Sequence, residues 1–271
     1  MSDTKTVLLV GATGAVGVPT VRALRDAGHE VRALVRSAER GRVAEAAGAE
    51  PVVGDLFEAS SVVPHLDGVD ALLNLATRIP TPARAALPGA WKENDRIRTD
   101  GSRALVDAAI EAGVPRFVQE SVVFQYADGG DRWLDEDAPV ERMAVVDSTA
   151  ASESNVARFT EHGGTGVVLR FGLFYGPNST HTDSTAALVR RGLSPALGAP
   201  GAYQPSLHLD DAASAVVASL DVPSGTYNVT DDEPLTRVGY AHAVAQALGV
   251  KDPRLVPQAV VKAMGKKVDP I

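Results

Sequence analysis

Seven residues near the start of the chain, Gly11-Ala12-Thr13-Gly14-Ala15-Val16-Gly17, carry the most legible chemistry in the sequence. Glycines at this spacing let a main chain approach a phosphate, because no Cβ intervenes. A helix starting at the last of them adds free N–H groups and the positive end of its dipole. The flanks supply the elements that such a loop needs. Val7 to Val10 is an apolar run that reads as a buried strand, and Val18 to Ala27 reads as a helix with Val21, Leu24 and Ala27 along one face. Gly11, Thr13, Gly14, Ala15, Val16 and Gly17 are therefore candidate contacts to a pyrophosphate.

The next strand narrows the ligand. His29 to Val35 reads as β, and dinucleotide-binding corners usually place an acid after it to hold a ribose 2′-hydroxyl. This chain has Arg36 there, with Arg40 and Arg42 close behind. A guanidinium suits a 2′-phosphate, so NADP(H) is favoured over NAD(H). Val52 and Val53 suggest a third strand, followed by Gly54-Asp55-Leu56, whose position would set Asp55 near an adenine amino group, with Leu56 a further cofactor candidate. Leu72 to Leu75 forms a fourth, and a doubly wound sheet would put Leu75, Ala76 and Thr77 beside the pyrophosphate.

Composition bounds what else the chain can do. Its 271 residues, 45% of them hydrophobic, suffice for a large core and a smaller lobe. The formal charge of -8 argues against a nucleic-acid partner. With no cysteine, disulfides, thiol catalysis and thiolate metal sites are excluded. No pair of histidines has metal-site spacing, so no metal is expected. No apolar run approaches the ~18 residues that span a membrane, and a soluble, cytoplasmic protein is the default expectation.

Strand-like and helix-like runs alternate over the first two thirds, the pattern of parallel βαβ units. The expected fold is therefore α/β: a Rossmann-like doubly wound parallel sheet with a smaller, discontinuous C-terminal substrate lobe. Arg103 to Ala112 reads as a helix ended by Gly113, Arg116 starts a fifth strand running to Ser121, and residues 126–141 read as a surface loop. Ser148 to Glu161 reads as another helix and Val167 to Leu169 as a short buried strand. After Arg170 the chain leaves the sheet and returns. The expected division is a dinucleotide-binding domain over 1–170 that 203–222 rejoin, with 171–202 and 223–271 forming the substrate lobe.

These pieces resemble the extended short-chain dehydrogenase/reductases, the NAD(P)-dependent epimerase/dehydratase group. The resemblance runs through the loop Gly11 to Gly17, Gly54-Asp55-Leu56, Asn74-Leu75-Ala76 and Leu169-Arg170-Phe171-Gly172-Leu173-Phe174-Tyr175-Gly176-Pro177. It continues in His208-Leu209-Asp210-Asp211-Ala212-Ala213 and Thr226-Tyr227-Asn228-Val229. Such proteins generally continue beyond the point where this sequence stops, at Ile271. The resemblance implies that Phe171 joins the cofactor contacts and that a small-molecule substrate occupies the cleft. It also implies a homodimer formed through helices flanking the sheet.

Catalysis in that group uses a tyrosine, a lysine four residues later and a serine. The resemblance puts the serine at Ser121, the tyrosine position at Val145 and the lysine position at Thr149, which retains only a hydroxyl for a ribose. No Tyr-x-x-x-Lys occurs in the sequence. The asparagine often found ahead of Gly101 is replaced by Arg98. A phenol needs a neighbouring cation to act as a base near neutrality.

If the chain is an enzyme, its acid or base has moved. Tyr126 is the foremost candidate, with Arg98 or the cofactor supplying the field; Asp147, Arg98 and Glu120 are others, Asp147 reading more readily as a helix N-cap. His181, His208, Trp91, Trp133 and Arg78 are further candidates to line the cleft, His208 reading also as a helix cap. The expectation is an NADP(H)-dependent reductase acting on a small carbonyl or alcohol, with Ser121 polarising the oxygen and Tyr126 or water completing proton transfer. The alternatives are a non-catalytic NADP(H) sensor and a redox-neutral epimerase or dehydratase.

Overall fold

The computed structural model describes residues 3–85, 87–141, 147–194 and 199–255. Its strands are β1 (Thr6–Val10), β2 (Glu30–Val35), β3 (Glu50–Val53), β4 (Ala71–Asn74), β5 (Arg116–Val122), β6 (Thr165–Phe171), β7 (Leu173–Tyr175), β8 (Tyr203–Gln204), β9 (Ser206–His208), β10 (Gly225–Val229) and β11 (Leu235–Thr236). The α-helices are α1 (Gly17–Asp26), α2 (Ala38–Ala47), α3 (Ala59–Val62), α4 (Pro82–Ala85), α5 (Lys92–Arg96), α6 (Ser102–Glu111), α7 (Asp147–Glu161), α8 (Thr180–Arg190), α9 (Leu209–Ala218) and α10 (Arg237–Leu248). A π-helical turn, Ile97–Gly101, joins α5 to α6.

Seven strands form one sheet in the order β10-β6-β5-β4-β1-β2-β3, and each neighbouring pair is parallel. The doubly wound α/β architecture expected from the alternation of elements is present. Two-sided burial explains the unbroken apolar runs of its strands. In β1, Val7 and Leu9 enter one core with Val21 and Leu24 of α1 and Ala212 and Val216 of α9. Leu8 and Val10 enter the opposite core with Leu105 of α6 and Val156 and Phe159 of α7. Phe117 of β5 meets Phe159 there, ring centroids 5.7 Å apart.

Outside this sheet, β7 pairs with β9 in parallel, β8 pairs with β11 antiparallel, and α8 packs on α10. The strand at 225–229, which the expected division counted with the lobe, instead forms the edge of the large sheet against β6. Tyr227 and Val229 pack against the first core, and this burial draws the segment back to the sheet. Among the described residues, no helix is long and apolar enough to cross a membrane, and no group of three His, Cys, Asp or Glu could hold a metal.

Because the sheet is parallel, its loops after β1, β2, β4, β5, β6 and β10 emerge along one edge. The strand order reverses between β1 and β4, and ligands of open α/β sheets bind in the crevice at such a reversal. The glycine loop after β1 and the segment Leu75 to Thr77 after β4 flank that point.

Candidate functional site

The glycine loop has the build of a phosphate cradle. Gly11 has φ +91°, a left-handed conformation that favours glycine, and a Cβ there would lie 2.7 Å from the carbonyl carbon of Leu75 and 2.8 Å from the nitrogen of Ala76. The loops after β1 and β4 thus touch backbone to backbone. At Gly17 a Cβ would lie 2.0 Å from the Gly11 carbonyl oxygen, so the loop closes only around glycine. Gly14 and Ala15 are exposed at the tip. Helix α1 begins without a side-chain cap and without an acid in its first turn, which leaves its positive end for an anion. These residues fit a dinucleotide diphosphate.

The remaining cofactor candidates lie around that cradle. Arg36 is exposed directly after β2, and Ser37 beside it caps α2 by accepting from the Arg40 N–H. Asp55 makes a local turn, its Oδ1 accepting from the Phe57 N–H at 3.0 Å while its own N–H donates to Ser61 Oγ at 2.8 Å. Leu56 is half-buried and Thr77 exposed, whereas Leu75, Ala76, Thr149 and Phe171 are buried.

Deeper along the same edge, side chains from three neighbouring strands form one network. Register places Ser121 of β5 opposite Arg170 of β6, and Arg170 opposite Asn228 of β10. Glu153, on α7, lies over this row. The Ser121 hydroxyl donates to Glu153 Oε1 at 2.6 Å, Gln125 Nε2 donates to the same oxygen at 2.8 Å, and Arg170 donates from Nε at 3.0 Å. Arg170 Nη2 donates to Glu153 Oε2 at 2.7 Å.

The third nitrogen of Arg170, Nη1, donates to the Tyr126 hydroxyl at 2.7 Å, and that hydroxyl donates to Asn228 Oδ1 at 2.7 Å. Burial alone would raise the Glu153 carboxyl. The hydrogen bonds from Arg170, Ser121 and Gln125, with the Arg170 charge, outweigh it and hold the carboxyl below its ordinary value. Arg170 is held more firmly protonated by its bond to Glu153.

Ser121 and Tyr126 are thus brought together, through Arg170 and Glu153 rather than by direct contact. Ser121 has no exposed surface and its only hydroxyl proton is donated to Glu153. Arg98, considered from the sequence as the cation serving Tyr126, is occupied elsewhere. Its Nε and Nη2 each donate to a Glu120 oxygen at 3.0 Å, and the two side chains are 2% and 7% exposed. The π-helical turn carries Arg98 into that buried pairing. The cation beside the phenol is Arg170.

Val145 lies outside the described residues. Asp147 opens α7 as an exposed first-turn acid, and His208 caps α9 by accepting from the Asp210 N–H at 3.3 Å. Trp91 donates to the Ala85 carbonyl, Trp133 is exposed, and the Arg78 N–H donates to Asn94. Burial lowers the His181 imidazole from its ordinary value, and its Nε2 has no partner.

With this geometry in place, similarity to known proteins decides the family. Residues 11–154 match the NAD(P)H-binding family. A Streptomyces protein named 3-diazoavenalumate denitrifying reductase is 35% identical over 263 residues, covering 94% of this chain and 85% of that protein. The chain belongs to the NAD(P)H-binding family. Within it, the chain is an atypical extended short-chain dehydrogenase/reductase of the epimerase group, without the Tyr-x-x-x-Lys pair. An epimerase family protein of Mycobacterium bovis, Mb2239, is 27% identical over 261 residues, covering 95% of this chain and 83% of that protein.

The fold of this NAD(P)H-binding protein also matches the Thermus thermophilus UDP-glucose 4-epimerase solved with NAD. The TM-score is 0.76 at 24% identity, covering 93% of this chain and 86% of that one. Residues 11–154 thus carry an NAD(P)H-binding domain, and proteins similar to the chain are named reductases.

Arg170 and Asn228 stand within the family-like motifs of the sequence, and Glu153 within the helix read over Ser148 to Glu161, with no role marked for any of them. Arg170 carried a usable signal: a charged residue inside the buried run Val167 to Phe171 demands a partner.

Proposed function

We propose that the protein is an NADP(H)-dependent reductase of a small organic substrate, working at the strand ends between the glycine loop and Ser121. The observation that carries this reading is the uncapped, glycine-closed loop at the strand reversal, with Arg36 at the end of the neighbouring strand. The diphosphate lies on the α1 N-terminus against Gly11, Thr13, Gly14, Ala15, Val16 and Gly17. Arg36 takes the 2′-phosphate, which sets the preference for NADP(H) over NAD(H). Asp55 and Leu56 border the adenine, while Leu75, Ala76, Thr77, Thr149 and Phe171 line the rest of the cofactor's path. Bound there, the reduced cofactor supplies a hydride.

For a carbonyl substrate, the chain must also deliver a proton to oxygen. Tyr126, at the sheet edge with its hydroxyl beside Arg170, is the donor in this reading, and Ser121 steadies the reacting group once substrate opens the site and the serine hydroxyl turns from Glu153. Titration with NADPH and NADH, followed by turnover on ketones, aldehydes and quinones, tests the proposal. Binding of NADPH without turnover of any substrate would favour the sensor reading.

A second substrate class is favoured by one observation: the Ser121 and Tyr126 protons are already donated, to Glu153 and Asn228. A cationic aryl diazo group that takes up a hydride leaves as N2, with a C–H bond where the C–N bond was, and draws no proton from the protein. The name of the Streptomyces relative is consistent with such a substrate. Tyr126→Phe discriminates between the classes, because it lowers carbonyl turnover by about 10²- to 10⁴-fold and spares diazo turnover.

A further inference from the structure

We propose that Arg170 is the positioning residue of this site, supplying from β6 the cation that the missing lysine would have supplied from α7. The inference rests on the carbonyl reading above, in which Tyr126 is the proton donor and Ser121 steadies the reacting group. One guanidinium is linked to both hydroxyls, to that of Tyr126 directly and to that of Ser121 through Glu153. Its Nη1 donates directly to the Tyr126 oxygen at 2.7 Å, with the guanidinium carbon 5.2 Å from the ring centroid. Its Nε and Nη2 hold the Glu153 carboxylate at 3.0 and 2.7 Å, and that carboxylate accepts the Ser121 hydroxyl at 2.6 Å.

The lysine position itself, Thr149, carries no charge and is buried. Arg98 is consumed by Glu120. The planar fork explains why arginine serves here: three nitrogens point in fixed directions to Glu153, Tyr126 and the Glu136 carbonyl, which a lysine ammonium on a flexible stem cannot reproduce. The backbone register that sets Arg170 beside Ser121 and Asn228 makes the arrangement a property of the sheet, not of a loop.

The test is a double-mutant cycle on Arg170→Lys and Tyr126→Phe in the full chain. It uses acetophenone, benzaldehyde and phenanthrenequinone as substrates, NADPH titration, and thermal melting. Arg170→Lys retains a cation for Glu153, so it is expected to fold and to bind NADPH as the wild type does. Its kcat on the best carbonyl substrate should fall about 10²-fold with KM nearly unchanged, the scale of general acid catalysis. The double variant should be no slower than Tyr126→Phe alone, because Arg170 acts through the phenol.

Additive losses, or an Arg170→Lys variant with wild-type kcat, would overturn the proposal. A wild-type protein that binds NADPH and turns over none of the three carbonyls would overturn the carbonyl reading first and this inference with it. If Arg170→Lys proves unfolded, Asn228→Ala supplies the check: freeing the phenolic proton from its acceptor must change kcat, and an unchanged kcat would overturn the role of the network.

Discussion

Gly17→Ala separates the cradle from the rest of the fold. A Cβ at residue 17 would stand 2.0 Å from the Gly11 carbonyl oxygen, 2.7 Å from the Ala12 carbonyl carbon and 2.8 Å from its Cα, all of them backbone atoms. Ordinary contact begins near 3.4 Å, so the loop or the first turn of α1 must retreat by more than 1 Å from the 2.0 Å approach. Forcing atoms into a packed site costs about 1–3 kcal/mol of stability, and a misplacement of about 1 Å at a binding constellation can cost about 10²-fold.

At Gly14 the nearest atom to a Cβ would be the Gly11 oxygen at 3.2 Å, with nothing else in the protein close. Gly14→Ala should therefore melt within about 0.5 kcal/mol of the wild type, yet still weaken NADPH, because its new methyl projects from the exposed tip of the loop. Fluorescence titration and thermal unfolding of both variants measure the two effects. Wild-type NADPH affinity in Gly17→Ala would refute the assignment of this loop to the diphosphate.

Other expectations follow from particular groups. Arg36→Ala should weaken NADPH by about 10- to 100-fold, the loss of a charge-assisted bond of roughly 1.5–3 kcal/mol, and leave NADH nearly unchanged in parallel titrations. Arg170→Met strips the partner from a carboxylate that is only 18% exposed. It should cost about 3 kcal/mol, the low end for a broken buried pair, seen as a midpoint about 6–12 °C lower in calorimetry. Phe159→Ala, in the core against Phe117, should cost about 3–5 kcal/mol in urea unfolding.

The Glu153 carboxyl titrates below its ordinary value of 4.5 in the folded chain. Unfolding at acid pH therefore takes up a proton, and this share of the stability is complete above about pH 5 and declines as the pH falls through the folded value. Urea midpoints followed from pH 7 to pH 3 in the wild type and Glu153→Gln check this, the variant showing the shallower decline.

The glycine loop, the order of strands and helices, and the switch-point crevice were legible because each rests on contiguous residues whose spacing carries the physics: apolar runs, glycines and a helix start within one stretch. The edge strand Gly225–Val229 contains the motif Thr226 to Val229, but its partner was not legible, since pairing with β6 joins residues about 60 positions apart. The network was less legible for the same reason.

Arg170 meets Glu153 across 17 positions and Tyr126 across 44, while Tyr126 meets Asn228 across 102. No local pattern encodes these distances. Arg98 shows the converse: the sequence offers it, or the cofactor, as the charge serving Tyr126, whereas the π-helical turn aims it at Glu120. A buried charge announces that it needs a partner, and only the fold says which.

The most direct measurement is the pair of dissociation constants of the unaltered protein for NADPH and NADH, taken from nicotinamide fluorescence at one ionic strength. Saturable binding of both, with NADPH the tighter by about tenfold or more, is the expected result. Failure of both nucleotides to bind would contradict the assignment of the first glycine bend to a dinucleotide and, with it, the proposed reductase.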